Sequence, residues 1–178
     1  MADERNNKVN VSSDKQLTTE YVRHKRLIYV SRFLFLMYMI TAIYFLLFSE
    51  SMGRNANREY RYNLELFKEI KRFWMLCKSD QMWVGILNLF GNIVCFIPFG
   101  IFVPIITEHK KNIFQVTWAA FVFSGMVEIS QLLFKVGIFD VDDILLNTIG
   151  GLLGYIIYKT FAFIKDLYKS ASKERYKE

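Results

Sequence analysis

Residues Ile113–Phe134 read IFQVTWAAFVFSGMVEISQLLF, a run with no basic side chain and a single carboxylate, Glu128. A stretch this long and apolar covers a hydrocarbon core of about 30 Å as a helix. Glu128 is costly there: a central acidic residue opposes insertion by about 2.5–3.5 kcal/mol. Gln131, three residues on, lies on the same helical side. Both must meet polar partners, so they face the inside of a bundle or a wet cavity. The reading of the whole chain turns on what those partners are.

Three other stretches have similar length and apolarity. They give spans at about 27–48, 82–106, 113–134 and 144–164. A backbone in lipid must satisfy its own hydrogen bonds, so the spans are helices. The alternating pattern of a barrel strand is absent. The predicted fold class is an all-α membrane protein, a four-transmembrane-helix bundle with an amphipathic interfacial helix in the first extracellular loop. The predicted organisation is a polar cytoplasmic tail (1–26), a four-span membrane domain (27–165) and a basic cytoplasmic tail (166–178). The tail at 1–26 is expected to be partly disordered near its start. The apolar run after it is too long for a signal-peptide core.

The chain carries 23 Lys and Arg against 17 Asp and Glu, a net charge of +6. In a soluble protein that excess suggests nucleic acid. Beside four spans it is the basic flank that fixes topology and touches anionic headgroups. The two tails and the loop 107–112 together hold more Lys and Arg than the opposite face, so both termini are predicted to be cytoplasmic. Arg32, near the start of span 1, is expected to snorkel to the headgroups. Cys77 and Cys95 are not expected to pair, and His24 and His109 are far apart in sequence. No zinc-type ligand spacing occurs; no metal or cofactor is predicted.

The loop 49–81 repeats apolar residues at helical spacing: Leu64, Phe67, Ile70, Trp74 and Cys77. Lys68, Lys71, Arg72 and Lys78 lie mostly elsewhere on that wheel. This amphipathic helix either lies in the interface or packs across the top of the bundle, and the two readings are compatible.

Topology brings the polar residues to one level. Asn88 and Asn92 share a side of span 2 in the half nearest loop 49–81. Glu128 and Gln131 lie near the matching end of span 3, and Asn147 lies just inside span 4. Asp140, Asp142 and Asp143 sit in the loop above. Asp142 or Asp143 is expected to cap span 4, where the helix dipole favours an anion. Gly150-x-x-x-Gly154 allows a close helix approach, which would bring Asn147 against Glu128 or Gln131. Pro98, followed by Gly100, is expected to loosen span 2.

Three pieces of this pattern, in order, carry a resemblance. They are Asn88-x-x-x-Asn92 running to Pro98-Phe-Gly100, then Glu128-Ile-Ser-Gln131, then Asp140-Val-Asp-Asp143 running to Asn147-Thr-Ile-Gly150-Gly151. Together they resemble the VanZ family. Arg61-Tyr-Asn63-Leu64-Glu-Leu-Phe67 is similar to the family's N-L-x-P-F segment, with Leu66 where the proline stands. Many members carry a basic residue just before the aspartate run. Val136-Gly137-Ile138 has none, so a charge partner for Asp140 is sought in Arg61 or Lys135. The resemblance implies a bacterial envelope protein linked to resistance to teicoplanin, a lipoglycopeptide antibiotic.

Three functions compete. In the first, Asn88, Asn92, Glu128, Gln131, Asp140, Asp143, Asn147 and Arg61 bind a lipid headgroup, a lipoglycopeptide or a lipid-linked cell-wall intermediate, without catalysis. In the second, the protein is a hydrolase or transferase acting on a lipid-linked substrate. Burial would raise the Glu128 pKa, and Glu128 would be the catalytic acid or base. In the third, it is a small assembly or transport subunit. The first is preferred, because no nucleophile–base pair and no phosphate-cradling glycine loop accompany Glu128. The expected partners are membrane lipids, and the expected location is the bacterial plasma membrane.

Overall fold

The computed structural model describes residues 2–48, 60–107 and 111–175. Arg54, Arg58, His109, Lys110 and the last three residues, which entered the topology and ligand arguments, lie outside the described residues. The element order is α1 (Ala2–Phe48), β1 (Tyr62–Asn63), α2 (Lys68–Leu76), α3 (Met82–Ile106), α4 (Ile113–Phe134), β2 (Phe139–Asp140) and α5 (Val141–Arg175). Four of these helices, α1, α3, α4 and α5, are long and apolar enough to cross a membrane. The chain is an all-α, four-span protein.

α3 and α4 have the predicted ends. α1 and α5 extend beyond theirs. α1 is helical from Ala2, where a partly disordered start was expected, and α5 continues to Arg175. A helix already nucleated by an apolar span propagates cheaply into polar sequence.

α3 and α5 run parallel and touch backbone to backbone. A Cβ on Gly150 would meet the Ile93 carbonyl oxygen, and one on Gly154 would meet that of Ile97. A Cβ on Gly100 would strike the Gly151 carbonyl oxygen, so Gly100 serves close approach rather than looseness. α3 stays helical through Pro98 and Pro104. Beside Pro98 the Tyr38 hydroxyl donates to the Cys95 carbonyl, at 2.8 Å. In lipid such contacts hold helices by dispersion and short polar bonds, since burying apolar surface gains nothing against acyl chains.

α1 lies antiparallel on α3. Phe35 meets Phe99 and Phe102, and the Arg32 guanidinium donates to the Ile106 carbonyl at the end of α3. A cation is favoured at that helix end. Phe123 of α4 stacks on Phe99, with ring centroids 5.3 Å apart, and Phe96 and Ala120 complete the buried centre. α4 and α5 form an antiparallel hairpin. Its far end is tied by Tyr155, whose hydroxyl donates to the Lys111 carbonyl, next to the capping box of Asn112 and Gln115.

Candidate functional site

At the near end of the α4–α5 hairpin, two short strands that the sequence reading did not predict meet. β1 and β2 pair in parallel, Tyr62 with Phe139 and Asn63 with Asp140. The Phe139 N–H donates to the Arg61 carbonyl. This two-residue pairing bolts the loop before α2 to the loop before α5. Arg61 is exposed and contributes through its backbone. Lys135, in the left-handed conformation that ends α4, places its ammonium over the Tyr60 ring. The partner of Asp140 is neither cation but the Asn63 amide, at 3.2 and 3.3 Å.

The three aspartates divide the labour. Asp140 accepts the Asp142 N–H at 2.8 Å and so caps α5. Asp142, expected as that cap, reaches the other way. Its carboxylate accepts the backbone N–H groups of Phe67, Glu69 and Ile70 and caps α2 from a distant part of the chain. It is fully buried. Phe67 sits at φ 66°, a left-handed conformation unusual for a bulky residue. The turn therefore forms without the family's proline, held from outside by Asp142. Asp143 accepts the Asn92 amide at 2.6 Å.

Glu128 is buried on α4, where its Oε2 accepts the Asp140 N–H at 2.9 Å. A continuous relay results: α4 holds β2 through Glu128, β2 holds the start of α5 through Asp140, and Asp142 holds α2. One turn deeper, Asn147 donates to the Ser124 hydroxyl at 2.9 Å rather than meeting Glu128 or Gln131. Asn147 is 1% exposed, and its Oδ1 accepts nothing. An orphaned buried carbonyl costs about 1–3 kcal/mol. Gln131 is buried under Gly137, where an added Cβ would collide with its side chain. Asn88 is not part of the group. It is exposed and donates to the Val84 carbonyl of its own helix, at 2.7 Å.

Burial pushes the Asp140 carboxyl above its ordinary value. Its hydrogen bonds oppose that shift, while the negative neighbours Asp142 and Glu69 reinforce it. Among the described residues no group of three His, Cys, Asp or Glu is arranged to hold a metal ion.

α2 roofs this end. Phe73 and Cys77 press on α3 at Gly85, where no side chain fits. Leu64, Leu66, Phe67, Trp74 and Met75 stay exposed. The helix thus packs across the bundle with one face, while Trp74 and Met75 on it and Leu64, Leu66 and Phe67 just before it leave apolar side chains outward. Its inner side is the half-buried Ile70 and Phe73; Phe67 and Trp74, expected on the same stripe, lie on the rim. Sequence reasoning missed Ser124 and the roles of Asn63 and Asp142. Ser124 had a signal, since it stands four residues before Glu128 on one helical side.

The VanZ/LLP1 family model matches residues 35–163, most of the chain and all of this site. The chain belongs to the VanZ family. It is also 30% identical over 132 residues to Protein VanZ of Enterococcus faecium, covering 72% of this chain and 73% of that one. No solved structure matches. Within the family pattern, the N-L segment and the aspartate run form one unit here through β1–β2 pairing and the Asp142 cap.

Proposed function

We propose that this protein binds the polar head of an amphiphile, a membrane lipid or a lipoglycopeptide, at the α2 end of the bundle, in the bacterial envelope and without catalysis. In this reading α2 lies on the outer side and both termini are cytoplasmic. The supporting observation is the burial of Ser124, Glu128, Gln131, Asp140, Asp142 and Asn147 at one end of two neighbouring spans. Polar groups at that depth are expensive unless used. Above them, α2 and its flanks combine exposed apolar residues with Lys68, Lys71, Arg72 and Lys78, which suits an interface. VanZ family membership associates the chain with resistance to teicoplanin, itself a lipid-bearing ligand.

Native mass spectrometry of lipid retained by the purified protein tests the reading. Wild type should hold a defined species. Glu128→Ala should lose it, and Glu128→Gln should keep most of it, because an amide can still accept the Asp140 N–H. Equal retention in wild type and Glu128→Ala would remove the site. A Glu128→Gln variant that binds normally but loses all phenotype would favour acid–base chemistry instead.

A further inference from the structure

Resting on the headgroup-binding reading, we propose that the site selects a primary ammonium over a phosphate or carboxylate. Helix N-termini are the usual anion sites, because their first N–H groups lack partners. Two N-termini meet here, those of α2 and α5, and carboxylates already engage N–H groups at each. The N–H groups of Phe67, Glu69 and Ile70 serve Asp142. That of Asp142 serves Asp140, and that of Asp140 serves Glu128. An arriving phosphate would find these donors taken and aspartates in its place.

Acceptor capacity is what remains. Asn147 Oδ1, on a side chain 1% exposed, has no donor. It lies one turn below Asp143 on α5, and its Ser124 partner lies one turn below Glu128 on α4. Asp140 and Asp142 accept only from neutral N–H groups. An ammonium brings three donors and the opposite charge. A quaternary ammonium brings the charge but nothing for Asn147 to accept. The Trp74 ring already carries the Lys78 ammonium, and the exposed Phe67 ring at the rim can receive a second cation on its way in.

The test uses the full chain and three probes with one tail: octylammonium, octyl phosphate and octyltrimethylammonium, with bound probe counted by native mass spectrometry. Octylammonium should bind saturably and about tenfold or more tighter than the other two, the worth of one charge-assisted hydrogen bond. Asn147→Leu should weaken it about tenfold. Asn147→Asp, which when ionised only accepts, should retain or tighten it. The probe comparison on wild type needs no variant and decides the matter even where Asn147→Leu does not fold. Octyl phosphate binding as well as octylammonium would overturn the inference and leave headgroup binding standing. Equal binding of octyltrimethylammonium would overturn the assignment of a primary ammonium. If octylammonium does not bind saturably, the inference fails; retained lipid lost in Glu128→Ala would then preserve the broader reading, and its absence would remove both.

Discussion

Asp142 is the residue on which the upper part of the molecule hangs. A helix cap is worth about 0.5–2 kcal/mol, and here one buried carboxylate serves three N–H groups. Asp142→Ala should therefore cost about 2 kcal/mol or more locally. Hydrogen exchange should show it as lost protection at Phe67, Glu69 and Ile70, with the amides of α4 unchanged. Asp140 allows a pH test. Its carboxyl is raised by burial, so the folded state holds the proton longer than the unfolded chain. The sign follows: its contribution is fully present below the ordinary carboxylate value and is lost as pH rises through the raised one. Melting temperatures of wild type and Asp140→Asn should converge at low pH and diverge, with wild type lower, as pH rises. A constant difference across that range would contradict this. These roles were only partly legible in sequence. Three aspartates in the four residues 140–143 announce a polar site, but nothing local says that Asp142 turns away from its own helix toward α2.

Among elements, the α3–α5 contact is the tightest, and the glycines make a paired experiment. Gly150→Ala places a methyl group on the Ile93 carbonyl, which is backbone and cannot swing aside. That variant should lower the melting temperature in detergent sharply, or prevent folding, by an overpacking cost of about 1–3 kcal/mol. Gly125→Ala on α4 meets nothing within 4 Å. It should leave stability unchanged or raise it by up to about 1 kcal/mol, the helix preference of alanine over glycine. Equal effects would mean that the seam is not where the two spans touch. The spans themselves were readable because length and apolarity alone decide a crossing helix, and α3 and α4 ended as predicted. The seam was readable from Gly150-x-x-x-Gly154. The β1–β2 pair was not, because two residues carry no periodicity and the pairing depends on loops brought together only after the bundle forms.

Across the whole molecule, polarity is graded along the bundle axis. Aromatic packing fills the centre around Phe96, Phe99 and Phe123, and the buried carboxylates and amides among the described residues collect with Ser124 at the α2 end. The sequence argument from depth alone placed Glu128, Gln131, Asn147 and the aspartates at that end. It did not exclude Asn88, which shares a helical side with Asn92 but sits one turn nearer the helix end, exposed and bonded to its own helix. The proposed orientation, drawn from the basic-residue asymmetry, has α2 outside. With Cys77 changed to serine, a cysteine at exposed Ser79 should then react with an impermeant maleimide in intact cells, and should react only after lysis if the orientation is reversed. The most direct test of the central claim is photo-crosslinking in nanodiscs with lipid carrying a diazirine in its headgroup. The account predicts label on peptides containing Ser124–Gln131 and Asp140–Asn147, abolished by Glu128→Ala. Label confined to the outward residues Phe114, Trp118 and Phe121, and indifferent to that substitution, would contradict it.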